Sequence, residues 1–218
     1  MLEAVTQPIG VLYGIPHLVV SGNAATTASN ILGSADLFRI SAAIILAGVF
    51  MDLFVAWALF VFFKPANKSL SLLVAIFRLI GAATATIAVG YAIYALQLLE
   101  GSPYGNGLST AQLNSQALLS LGAYDYGYDL GLIFFGTHLL ALGYLAFKSG
   151  YLSRPWGAVL GVLIFVAGAG YVIDNVGKLL VPGYNVTISS FTFVGELLLA
   201  IWLVIWGRKV NIATPSVS

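Results

Sequence analysis

Long apolar segments are the feature of this sequence that most constrains its fold. Between Ala35 and Phe63 the only charged side chains are Asp36, Arg39 and Asp52. About 20 apolar residues in a helix are enough to cross the hydrocarbon core of a bilayer, which is about 30 Å thick. In the whole chain 60% of residues are hydrophobic and 8% are charged, too few polar side chains to cover a water-soluble globule. The chain is therefore predicted to be an all-α membrane protein that has the lipid bilayer as a partner.

Prolines, glycines and charged residues divide the apolar sequence into separate helices. Five transmembrane helices are predicted, at residues 35–63, 70–99, 122–148, 156–180 and 190–206. Ser109 and Gln112 form a capping box that opens an amphipathic helix at 109–121, predicted to lie along the outer membrane surface. Residues 1–33 are predicted to form a short or partial N-terminal helix, broken by glycine and proline, and an outer segment that Asn23 caps. Residues 1–218 are expected to make one transmembrane domain.

The basic residues of the short loops indicate the orientation of the chain. Basic residues occur between the first and second predicted spans, between the third and fourth, and after the last, but not in the loop after residue 99. These basic residues are Lys64, Lys68, Lys148, Arg154, Arg208 and Lys209. Lysine and arginine are enriched in cytoplasmic loops. The C-terminus is therefore predicted to be cytoplasmic.

Four polar side chains inside the apolar segments are candidates for a ligand or proton site. They are Asp52, Arg78, His138 and Glu196. Counted from the cytoplasmic ends of their helices at about 1.5 Å per residue, all four lie roughly 12 to 17 Å deep. An ionisable side chain near the bilayer centre costs roughly 2.5 to 3.5 kcal/mol on insertion scales, so each is expected to face protein, water or a ligand.

Two interpretations of this group remain open. In the first, the four residues form a structural network in which Arg78 neutralises a carboxylate. In the second, they form a working site for ions, protons or a substrate, and their common depth favours this interpretation. His138, Asp52 and Glu196 are also residue types that bind zinc or iron. The chain has no HExxH motif, and Arg78 would repel a cation, so no metal is predicted.

A second polar cluster is predicted toward the outer side of the membrane. Its members are spaced for ion pairing along and between helices: Arg39, Asp125, Asp129, Asp174 and Lys178. Asp174 and Lys178 lie one helical turn apart, which favours an acid–base pair. We interpret the cluster as a set of salt bridges that locks the helix at 122–148 to the helix at 156–180, with Arg39 joining it. The alternative is the rim of an outward-facing entrance, which the surrounding tyrosines would equally suit: Tyr124, Tyr126, Tyr128 and Tyr171.

Several short motifs resemble a known bacterial family. They are Lys64-Pro-Ala-Asn-Lys, Phe77-Arg78, Gly127-Tyr-x-x-Gly-x-x-Phe-Phe-Gly-x-His138, Lys148-Ser-Gly-Tyr-x-x-Arg-Pro, Gly170-Tyr-x-Ile-Asp174 and Gly195-Glu196. The chain resembles, over about residues 23–207, the integral membrane proteins catalogued as domain of unknown function 4386. The resemblance implies a six-helix membrane fold, a bacterial cytoplasmic (inner) membrane and no particular activity.

Composition and motifs narrow the function without naming it. The net charge of +1 offers no basic patch for nucleic acid, and the absence of cysteine excludes disulfides and thiolate metal sites. No cofactor motif is present, and the sequence does not decide whether the protein is an enzyme. The hypothesis favoured is a protein that binds or moves a small molecule, lipid or proton at the mid-membrane site. The alternatives are an accessory subunit that packs against partner membrane subunits or a second copy of itself, and an intramembrane metal-dependent hydrolase.

Overall fold

The computed structural model describes residues 14–101, 103–151 and 156–206. Its helices are α1 Ile15–Leu18, α2 Ala24–Gly33, α3 Ala35–Phe63, α4 Lys68–Leu99, α5 Thr110–Ser149, α6 Trp156–Leu180, α7 Ser189–Thr192 and α8 Val194–Trp206, with a 3-10 turn at Pro103–Gly105. Among the described residues, α3, α4, α5 and the Ala158–Leu180 part of α6 are long and apolar enough to cross a membrane. Ser189–Ile205 forms a shorter apolar helix. The predicted all-α, multi-pass membrane bundle is confirmed.

The main difference from the predicted helices lies in α5. Instead of an interfacial helix at 109–121 followed by a span at 122–148, one helix runs for 40 residues from Thr110 to Ser149. No proline interrupts this stretch, and Leu121 and Tyr124, on either side of Gly122, are buried in the same core cluster. That shared burial favours a continuous helix over a turn at Gly122.

The predicted helix starts can be compared with the structure where it is described. The Asn23 side chain accepts a hydrogen bond from the Thr26 backbone N–H at 3.0 Å. In the capping box, the Ser109 backbone N–H donates to Gln112 at 2.8 Å, and the Gln112 backbone N–H donates to Ser109 Oγ at 3.4 Å. Both predicted caps are therefore confirmed. Residues 1–13 and the basic residues Arg154, Arg208 and Lys209 lie outside the described residues.

The chain divides into two compact units. Of the described residues, the N-terminal unit contains 14–51, 83–101 and 103–128. Its core is built from α1 to α5 side chains, among them Ile15, Ile31 and Phe38, each completely buried. Alanines at 88, 92 and 95 give α4 a small-residue face, and small residues let helix backbones approach closely in membranes.

Of the described residues, the C-terminal unit contains 52–82, 129–151 and 156–206, and its helices α5 and α6 contact each other through glycines. Gly136 on α5 faces Gly168 on α6, and Gly143 faces Gly161. A Cβ atom added to Gly143 would lie 2.6 Å from the Gly161 carbonyl oxygen. Along α5 the facing glycines rise from 136 to 143, whereas along α6 they fall from 168 to 161. The two helices therefore pack antiparallel with their backbones in contact.

Candidate functional site

Three of the four candidate residues for the mid-membrane site meet inside the C-terminal unit. Asp52 comes from α3, Arg78 from α4 and His138 from α5, and their exposed fractions are 6%, 7% and 0%. We call these three side chains the buried triad. Each is held on a helix, so its position is set by backbone packing rather than by a loop.

Arg78 is the centre of the triad. Its Nη2 atom lies 2.5 Å from Asp52 Oδ1, and its Nη1 atom lies 3.2 Å from His138 Nε2. The guanidinium group also lies over the Phe135 ring, 5.2 Å from the ring centroid. A guanidinium is planar and weakly hydrated compared with an ammonium group, and it stacks on aromatic faces. Arginine therefore suits this apolar position better than lysine would.

The two contacts of His138 define its tautomer. Nδ1 lies 2.8 Å from the Val74 carbonyl oxygen, which can only accept a hydrogen bond. Nδ1 therefore carries a hydrogen and donates a hydrogen bond to this oxygen. Nε2 faces Arg78, which has only donors, so Nε2 is unprotonated and accepts. His138 is therefore a neutral imidazole in this arrangement. A second proton on Nε2 would place two donors against each other.

The charges of the triad balance. Arg78 carries a permanent positive charge, the Asp52 carboxylate neutralises it at ion-pair distance, and His138 adds none. A buried ion pair is stable only when each charge keeps its partner, because taking a charge out of water costs several kcal/mol. Chemically, the triad offers a guanidinium that could bind an anion, Arg78, beside a carboxylate, Asp52.

Glu196, the fourth candidate, lies in the first turn of α8. Its side chain is half-buried and its Oε1 atom is buried. Among the described residues, no three His, Asp or Glu side chains form a group that could hold a metal ion. Arg78 lies within contact distance of both Asp52 and His138, where a metal bound by these two would have to lie.

The predicted outer cluster is divided among different partners. Lys178 on α6 pairs with Asp129 on α5 at 3.2 Å, which links the two helices. Arg39 instead pairs with Asp36 at 3.2 Å and with Glu100 at 2.5 Å, both in the N-terminal unit. The prediction that Arg39 joins the salt bridges of α5 and α6 is corrected accordingly. Asp125 is exposed on the part of α5 that belongs to the N-terminal unit.

Asp174 has a different role from the predicted pair with Lys178. It is buried on α6 and accepts hydrogen bonds from the Tyr184 hydroxyl at 3.1 Å and from the Ser189 backbone N–H at 2.7 Å. Ser189 is the first residue of α7, where backbone N–H groups lack helical partners. Asp174 therefore ties the start of the last helical segment to α6. Loss of solvent around the phenol raises the pKa of Tyr184, and the hydrogen bond to the Asp174 carboxylate adds to this effect.

Sequence reasoning missed two groups that surround the triad. Val74 lies one turn before Arg78, and Phe135 lies three residues before His138, so both share a helix face with a candidate residue. This spacing could have indicated Phe135 as an aromatic neighbour. The role of the Val74 carbonyl could not be predicted, because every residue type has a main-chain carbonyl oxygen.

Comparison with known proteins places the chain in a family without adding an activity. The family model described as "Domain of unknown function (DUF4386)" matches residues 1–207, so the match includes the N-terminal segment that the predicted range of 23–207 left out. An "Uncharacterized protein" from Archaeoglobus fulgidus is 39% identical over 169 residues, which cover 77% of this chain and 85% of that protein. No solved structure matches. The chain therefore belongs to the DUF4386 family of unknown function.

Proposed function

We propose that this membrane protein binds a small molecule or lipid at the buried triad and moves it within or across the bilayer. The observation that carries the proposal is the burial of Asp52, Arg78 and His138, from three different helices, in direct contact. Charged residues within membrane segments are rare and are typical of substrate and ion pathways. Apolar side chains at these positions would avoid the insertion cost of roughly 2.5 to 3.5 kcal/mol for each charge.

An accessory subunit is the second candidate. It is supported by the contacts within the triad, in which Asp52 pairs with Arg78 and His138 contacts the same guanidinium. Such a network can serve only to specify how the helices pack. In that case the protein would function through contacts with partner membrane subunits or with a second copy of itself. A metal-dependent hydrolase is not proposed, because the described residues hold no suitable group of ligands.

Charge-neutral replacement of the ion pair separates the two candidates. We expect the double variant Asp52→Asn/Arg78→Gln to stay folded, because it removes both buried charges together, and to lose the bound molecule. The measurement is mass spectrometry of small molecules and lipids extracted from purified protein, normalised to protein amount, with the melting temperature in detergent recorded in parallel. The matched control is Asp129→Asn/Lys178→Gln, which removes an ion pair elsewhere in the C-terminal unit and should retain the bound molecule.

Two results would decide against the proposal. One is an identical set of extracted molecules from wild type and both double variants. The other is purification of the wild type only as part of a larger complex, with no bound small molecule. Either result would favour the accessory subunit.

For the location, we propose a bacterial cytoplasmic membrane with the C-terminus in the cytoplasm. The support comes from Lys64, Lys68 and Lys148, which lie at or next to helix ends, and from the basic residues outside the described ranges. Reporter fusions at Lys209 and Gly107 test the orientation. A cytoplasm-specific reporter should be active at Lys209 and silent at Gly107, and the reverse pattern would invert the topology.

A further inference from the structure

Aromatic rings join the ends of α3 and α5 in the C-terminal unit. The centroid of the Tyr151 ring lies 5.5 Å from that of Phe62 and 6.1 Å from that of Phe63. Gly150, directly before Tyr151, has a φ of 67°, a left-handed conformation that favours glycine and is common at the ends of helices. The chain therefore turns after α5, and Tyr151 packs against the last residues of α3.

Three exposed lysines lie at the same helix ends. Lys64 follows the last residue of α3, Lys68 is the first residue of α4, and Lys148 lies in the last turn of α5. The turn between α3 and α4 is short, and in it the Asn67 backbone N–H donates to the Phe63 carbonyl oxygen at 3.1 Å. Because the ends of α3 and α5 meet, the three lysines share one end of the unit, and we call them the basic end.

The stretches of sequence that build this end contain no acidic residue. Neither residues 53–99 nor residues 130–173 include an Asp or a Glu. Along α3 the nearest carboxylate is that of Asp52, twelve residues before Lys64, which is about 18 Å along the helix axis. These stretches therefore carry positive charge only, and a negatively charged partner complements them.

Apolar side chains beside the lysines indicate what kind of anion fits. Val61, three residues before Lys64, is 47% exposed. Phe147, directly before Lys148, is 50% exposed. Lys64 Nζ also lies over the Phe60 ring, 5.9 Å from its centroid. In a membrane protein, exposed apolar side chains face the acyl chains, whereas the ammonium groups of lysines near helix ends reach toward the headgroups. A molecule that complements both has an anionic head and apolar tails.

We propose that the basic end binds an anionic phospholipid, with the lysines around its headgroup and the acyl chains against the neighbouring apolar side chains. A lysine near the membrane surface strengthens the binding of anionic lipid by a factor of about five. The basic end contains none of the triad residues. The inference therefore goes beyond the proposed function and does not depend on it.

A lipid titration followed by native mass spectrometry is the test. Purified, delipidated protein in detergent is titrated with phosphatidylglycerol, which is anionic, and with phosphatidylcholine of the same acyl chains, which carries no net charge. We expect phosphatidylglycerol to bind at least about tenfold more tightly. Glycerol 1-phosphate has an anionic head and no acyl chains, so at an equal concentration it should not displace the phosphatidylglycerol.

Double variants assign the preference to the basic end. Lys64→Gln/Lys68→Gln should weaken phosphatidylglycerol binding by about 25-fold and leave phosphatidylcholine binding unchanged, because it removes two of the three lysines. Arg39→Gln/Lys178→Gln is the matched control. It also removes two positive charges, but from side chains that pair with carboxylates elsewhere, and it should keep the wild-type preference. Melting temperatures are recorded for both double variants.

Three results would overturn the inference. The first is equal affinity of the wild type for the two phospholipids, which is expected if the lysines only orient the chain during insertion and which needs no variant. The second is equal weakening in both double variants, because the preference would then follow the total charge of the protein. The third is displacement of phosphatidylglycerol by an equal concentration of glycerol 1-phosphate, because the basic end would then bind a soluble phosphate instead of a lipid.

Discussion

Replacing Arg78 by alanine alone is expected to lower the free energy of unfolding by about 3–5 kcal/mol. The variant removes the cation that neutralises Asp52, and both side chains of this pair are less than a tenth exposed, at 7% and 9%. His138 Nε2 loses the same donor. Unfolding in mixed micelles with increasing denaturing detergent measures the change.

Lys178→Ala is the matched control for Arg78→Ala. Its ion pair with Asp129 has side chains 42% and 19% exposed, so solvent screens the charges. Exposed ion pairs contribute about 0–1 kcal/mol. If Arg78→Ala and Lys178→Ala lower the free energy of unfolding equally, the buried ion pair stabilises the protein no more than the exposed one. The charge argument for the triad would then fail.

Gly143→Ala is expected to destabilise the protein by about 1–3 kcal/mol, because the added methyl group overpacks a close backbone contact. The new Cβ would lie 2.6 Å from both the Gly161 carbonyl oxygen and the Phe165 backbone nitrogen. Backbone atoms cannot turn aside as a flexible side chain can, so α5 and α6 would have to separate. The same unfolding titration measures the loss.

Gly90→Ala is the control for the added methyl group. Gly90 lies within α4, and nothing comes within 4 Å of a Cβ atom placed there. Alanine is the better helix former, so this variant should be unchanged or more stable by up to about 1 kcal/mol. A loss at Gly90 as large as that at Gly143 would argue against a steric cause.

The long helices could be predicted from the sequence, but most side-chain partners could not. Long apolar segments indicate membrane helices. Counting residues along them gives Asp52, Arg78 and His138 a common predicted depth, which stays a prediction. When two interacting residues come from distant segments, their separation in the sequence does not indicate that they are in contact. Glu100 lies 61 residues from Arg39, and the Ser189 backbone N–H lies 15 residues from Asp174.

The glycine contacts show that a spacing motif can mark packing positions without identifying their partners. Two four-residue spacings, Gly127-x-x-x-Gly131 and Gly157-x-x-x-Gly161, favour close helix packing. In the structure Gly127 faces Ala88 in the N-terminal unit, and Gly161 faces Gly143. The α5–α6 contact instead uses a spacing of seven, which appears twice in the sequence. With 24 glycines in the chain, a spacing alone does not select the right pairs.

The paired glycines of α5 and α6 also restrict how these two helices can shift against each other. Sliding one helix along the other by a turn, about 5.4 Å, would bring bulky neighbours such as Phe147 or Tyr171 against a main-chain carbonyl. The two helices are therefore held in one register and form a rigid pair, and His138 lies on this pair. If Arg78 binds a ligand as proposed, the rearrangement that admits it would be made by other helices moving against this pair.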